Sequence, residues 1–153
     1  MPSQFNIASI QMISTPVLQE NLDTANRLIG QAAKEGAQLV VLPEYFCLMG
    51  LKDTDKVLAR EALGSGLIQD QLAAIAKAKG IYLVAGTIPL EAQAANKVLN
   101  TTLVFDPQGQ RIGRYDKIHL FGFQTATERY EESETIEAGN TPVSYTHLTL
   151  PTN

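Results

Sequence analysis

Four apolar residues in a row, Leu39-Val40-Val41-Leu42, are closed by Pro43 and followed at once by Glu44. A strand without polar alternation has to be covered on both faces, as strands of layered α/β sheets are. Upstream, Leu18, Leu22, Ala25, Ile29 and Ala32 recur at helical spacing. Ser14-Thr15-Pro16 reads as the start of that helix, a hydroxyl cap followed by proline, and Gly36 as its end. Residues 5–12 read as a first strand. Downstream, 53–62 reads as a helix and Gly64-Ser65-Gly66 as punctuation. Ile68, Leu72, Ile75 and Ala76 mark a second amphipathic helix that stops at Gly80. Residues 81–88 read as a strand, with Gly86 where another part of the backbone comes close. Residues 98–105 and 110–115 form a hairpin joined by Asp106-Pro107-Gln108-Gly109. This order favours one layered α/β domain over separate domains. No internal repeat, low-complexity segment or linker interrupts it.

The chain has 153 residues, 44% hydrophobic and 18% charged, which suits one globular domain with a real core. The net charge is −4 and Lys and Arg form no run, so nucleic acid and anionic membranes are poor partners. A single cysteine gives no internal disulfide and fits a reducing compartment. The first residues show no signal peptide, and no apolar run approaches the roughly 20 residues of a membrane helix. The expected location is the cytoplasm. No Cys/His cluster has metal spacing, and Gly64-Ser65-Gly66 lacks the lysine of a phosphate loop.

Glu44 and Lys117 both follow strand-like runs, and open α/β sheets gather their sites at strand ends. They are expected to share one site. A carboxylate shielded from water is suited to take a proton from a weak nucleophile. A fixed cation stabilises the negative charge that develops on an attacked carbonyl. Each residue by itself also has a plainer reading, as a solvated carboxylate and an exposed lysine.

Taken in order, five segments resemble the nitrilase superfamily of carbon–nitrogen hydrolases, in the branch of omega-amidase and deaminated glutathione amidase. They are Val41-Leu42-Pro43-Glu44, Gly86-Thr87-Ile88-Pro89, Asn100-Thr101, Asp106-Pro107-Gln108-Gly109 and Tyr115-Asp116-Lys117-Ile118-His119-Leu120-Phe121. The resemblance implies an α/β chain of the nitrilase-type α-β-β-α sandwich, with residues 1–143 as its N-terminal part, and a Glu-Lys-Cys site. Glu44 matches the general base and Lys117 the residue that stabilises the tetrahedral oxyanion. The family cysteine attacks the amide or nitrile carbon, ammonia leaves, and water hydrolyses the thioester. A further family glutamate positions these groups. Glu132 fits that place best, with Glu128 and Glu131 as competitors; read alone, these acids are a solvated face. A neighbouring glutamate would help keep the lysine protonated. The resemblance implies no cofactor, a small ω-amide substrate such as an α-keto acid amide or deaminated glutathione, and a homo-oligomer for the full-length protein. Nitrile hydrolysis and amide condensation use the same three residue types.

Cys47 follows Glu44 too closely to match the family nucleophile and reads as a small, partly buried side chain. His119 reads as structural, and His147 is given no role. By family spacing the nucleophile falls a few residues past Asn153. Residues 144–153 are threonine-rich and resemble a translated cloning sequence, so a truncated reading frame with a poorly packed foreign tail is expected. The rival reading is a non-catalytic fragment that at most binds small molecules or a partner subunit.

Overall fold

The structure is a computed structural model, and it describes residues 5–143. The tail from 144 to 153, with His147, lies outside the described residues. Strand β1 (Ile7–Ser9) leads to helix α1 (Leu18–Lys34), strand β2 (Leu39–Val41), the short helix α2 (Asp55–Leu58) and helix α3 (Leu67–Lys79). Strands β3 (Tyr82–Val84), β4 (Ile88–Glu91), β5 (Val98–Phe105) and β6 (Arg111–Asp116) follow. A separate hairpin, β7 (Gly122–Gln124) and β8 (Arg129–Glu131), runs into a 3-10 turn, Glu132–Glu134. Strands β1, β2 and β3 are parallel neighbours, with Ala8, Val40 and Leu83 in one row. β5 pairs antiparallel with β3 and β4 along one edge and with β6 along the other.

The helices cover one face of this sheet. Leu22, Ala25, Ile29 and Ala32 of α1, and Ile68, Leu72 and Ala76 of α3, pack with Val40, Leu83, Leu103 and Phe105 in one core. Removing a Leu22 or Ile29 side chain from water contributes about 1.5–3 kcal/mol. Burial alternates along the strands: Val40 is buried, whereas Leu39 and Val41 are half-buried. The expected cover on both faces of β2 is therefore met on one face only among the described residues.

Other expectations need correction. Residues 5–12 hold a strand of only three residues, Ile7–Ser9. Helix α1 begins after Pro16, and no side chain caps it at Val17. Instead the buried Asn21 side chain ties down the approach, accepting from Thr15 N at 2.8 Å and donating to Thr15 O at 2.7 Å and Cys47 O at 2.9 Å. The helix expected over 53–62 shrinks to Asp55–Leu58. Glu61 is drawn into extended pairing with the edge of β4, donating its N–H to Pro89 O at 3.1 Å and accepting from Glu91 N at 3.0 Å. Its carboxylate then caps α3 from outside, accepting from Ile68 N at 2.6 Å and Gln69 N at 3.2 Å. Those amides open the helix and have no partner within it.

The strand expected over 81–88 breaks into β3 and β4. Leu83 pairs with Phe105 and Val84 with Val104, but Ile88 pairs with Thr101, so the register slips by one residue across the break. Gly86 sits in that break at φ +42°, and a Cβ there would overlap the carbonyl oxygen of Pro43. Only glycine tolerates both conditions. We expect Gly86→Ala to lower the unfolding free energy by about 3 kcal/mol, measured by urea denaturation. A variant as stable as the parent would remove this contact from the list of constraints.

Candidate active site

Pro43 ends β2 and places Glu44 past the carboxyl end of the strand. The next residue, Tyr45, has φ +53°, uncommon for a bulky side chain. Its N–H is held by Thr87 Oγ1 at 2.9 Å, just beyond the Gly86 break. Lys117 follows β6 directly. Its N–H donates to Asn100 O at 2.9 Å and its carbonyl accepts from Gly139 N at 2.9 Å. Asp116 anchors the end of β6, accepting from Thr101 Oγ1 at 2.7 Å and pairing with Arg114 at 3.0 Å.

The structure brings three of the charged groups named above together. Lys117 Nζ lies 3.1 Å from Glu44 Oε1 and 3.0 Å from Glu132 Oε2. Glu132 is 5% exposed and also accepts from Phe121 N at 2.8 Å. Glu128 and Glu131 make no ion pair with Lys117 among the described residues; Glu128 is exposed and belongs to the tip of the β7–β8 hairpin. Burial pulls the Lys117 ammonium down, but its hydrogen bonds to Glu132 and Glu44 outweigh this and leave its pKa above the ordinary lysine value. The shielding expected for Glu44 is not supplied by the described residues, because its side chain is 50% exposed.

Glu44 and Lys117 open onto the sheet face that the helices leave uncovered. A depression of about 370 Å³ there is lined by Val41, Glu44, Val84, Asn100, Tyr115 and Lys117, among others. A larger one, about 630 Å³, runs along β1 and α1 and holds none of the three charged groups. Cys47 is fully buried in the main core, and burial pushes its thiol up to about 12. It is neutral and inward-facing, unlike a reactive thiolate. His119 is exposed. No His, Cys, Asp or Glu group among the described residues could hold a metal ion, and no helix there is long and apolar enough to cross a membrane.

The sequence reading passed over Asn100 as a site residue. Its Nδ2 donates to Glu44 Oε1 at 2.8 Å, although the residue is 2% exposed. An asparagine inside an otherwise apolar and threonine-rich strand is a signal in itself, since asparagine is depleted in strands.

The carbon–nitrogen hydrolase profile matches residues 6–150. The chain is 37% identical over 140 residues to omega-amidase NIT2 of Xenopus tropicalis, covering 90% of this chain and 49% of that protein. It is 37% identical over 134 residues to a deaminated glutathione amidase of Synechocystis, covering 86% and 48%. The crystal structure of the C. elegans NitFhit protein superposes with a TM-score of 0.76 at 28% identity, covering 88% of this chain and 33% of that one. The chain belongs to the carbon–nitrogen hydrolases of the nitrilase superfamily. It has their mixed α/β fold and spans about half the length of the curated relatives it matches.

Two measurements check the site's electrostatics. A lysine whose folded pKa is raised adds stability that is present below its unfolded pKa, about 10.4, and is lost as pH rises through the folded value. In urea titrations Lys117→Met will therefore be less stable than the parent at pH 8, yet lose less stability above about pH 10.5. Equal slopes would mean that Lys117 is not held by the carboxylates. The Tyr45 hydroxyl is buried without a hydrogen-bond partner among the described residues. Tyr45→Phe should raise the unfolding free energy by about 1 kcal/mol; a destabilised variant would reveal a missed partner.

Proposed function

We propose that this chain carries the base and the cation of an amidase site for small ω-amides, in a Glu-Lys-Cys mechanism whose cysteine is not among the 153 residues. The observation that carries the proposal is Lys117 Nζ held between Glu44 and Glu132 at the mouth of the depression. An ammonium has three N–H donors. They face Glu44 Oε1 at 3.1 Å and the two Glu132 oxygens at 3.0 and 3.2 Å, and an oxygen entering the depression would share one of them. The names of the relatives support α-keto acid ω-amides or deaminated glutathione as the substrate class. Their length supports residues 1–143 as the N-terminal part of the domain.

The roles follow from charge. With both carboxylates ionised, Glu44, Lys117 and Glu132 together carry one negative charge. A thiol attacking the amide carbon forms an S–C bond and passes its proton to Glu44, which makes the trio neutral. The carbonyl π electrons move onto oxygen, where Lys117 meets them. Collapse of the intermediate breaks the C–N bond, and Glu44 returns the proton to the departing ammonia. Water then attacks the thioester, gives its proton to Glu44, and the thiolate leaves and is reprotonated. No step requires a redox partner.

A second reading has its own observation. The one cysteine, Cys47, is buried in the core, which favours a chain that binds but does not turn over amides. One experiment separates the readings. The 153-residue chain is expected to release no ammonia from glutaramate-type amides above background. The gene product read on through an apolar strand into a cysteine is expected to do so, with Glu44→Gln and Lys117→Met each losing about 1,000-fold or more in kcat. Turnover by the short chain that Cys47→Ala abolishes would overturn the assignment.

A further inference from the structure

We propose that Asn100 is a positioning residue for Glu44, fixing which carboxylate oxygen receives the proton. This deepens the reading of Glu44 as the base and rests on it.

Asn100 Nδ2 and Lys117 Nζ both donate to the same atom, Glu44 Oε1, at 2.8 and 3.1 Å. Among the described residues no donor reaches Glu44 Oε2. Two donors on one oxygen fix the carboxylate plane and occupy that oxygen's lone pairs. The other oxygen keeps its lone pairs free on a half-exposed side chain, so Oε2 is the proton-accepting atom.

The same asparagine has a second unusual property. Its Oδ1 is buried and has no hydrogen-bond partner among the described residues. A buried polar atom left unpaired is destabilising, and native folds rarely keep one without a reason. Turning the amide over would set Oδ1 against the carboxylate and leave Nδ2 without an acceptor, so the observed orientation is the better of two imperfect ones. A purely structural role would be served as well by an apolar side chain of similar volume. Asn100 also fixes the site through its backbone, since its carbonyl accepts from Lys117 N at 2.9 Å. That bond survives any side-chain replacement, which lets the side chain be tested alone.

The test is a pH titration of the Glu44 carboxyl by 13C NMR on the 153-residue chain labelled at glutamate Cδ, with Glu44→Gln to identify the resonance. The comparison is between the parent and Asn100→Leu. Loss of a donor to the charged form moves the midpoint up by about one pH unit. Thermal stability should be unchanged or higher, because the unpaired oxygen goes as well. A midpoint that stays within about 0.2 unit overturns the proposal, whatever happens to stability. If Asn100→Leu does not fold, Asn100→Ser, too short to reach Glu44, is read by the same two outcomes. No turnover is needed, so failure of the amidase reading and failure of this inference remain separate results.

Discussion

The contact between Gly86 and the Pro43 carbonyl is the constraint on which the rest of the site depends. Two strand ends, β2 and β3, lie side by side there, and the second must change register against β5 within three residues. Because residue 86 has no side chain, the break presses against Pro43, and Thr87 comes within reach of the Tyr45 amide. That hydrogen bond holds Tyr45 in a left-handed conformation and turns Glu44 toward the end of β6. The placement of Glu44 therefore rests on backbone packing as well as on its charge contacts.

Around that frame the charges divide the work unequally. Glu132 is buried, accepts a backbone N–H and holds Lys117 from the protein side. Glu44 holds it from the solvent side. A lysine between two carboxylates stays protonated over the whole physiological range, as the cation of the proposed mechanism has to. In the proposed mechanism Glu44 gains a proton and loses it again without the trio departing from neutrality by more than one charge.

Much of this was legible in the residues. The 3.6-residue period named α1 and α3, and the apolar run ending in Pro43 named β2 and the position of Glu44. Lys117 and Glu132 were named from their motif, and the fold places both in contact. Three things were not legible. The helix over 53–62 lost its second half because Glu61 had better hydrogen bonds along β4, a long-range choice that local propensity does not register. The β7–β8 hairpin has strands of three residues each, too short to show a period. Asn100 stood out as part of a family-like segment and as an unusual strand residue, but its contact to Glu44, which is 56 positions away, did not.

The difference in exposure between the two carboxylates has a consequence for how the site responds to its solution. Mobile ions screen interactions between exposed charges over about 8 Å at physiological ionic strength and reach buried pairs far less. Salt therefore acts on the Lys117–Glu44 contact and leaves the Lys117–Glu132 contact almost untouched. As ionic strength rises, the ammonium shifts its allegiance inward, and the Asn100 amide becomes the firmer of the two holds on Glu44. The neutral donor is then what keeps the Glu44 carboxylate in place when the medium weakens the charged one.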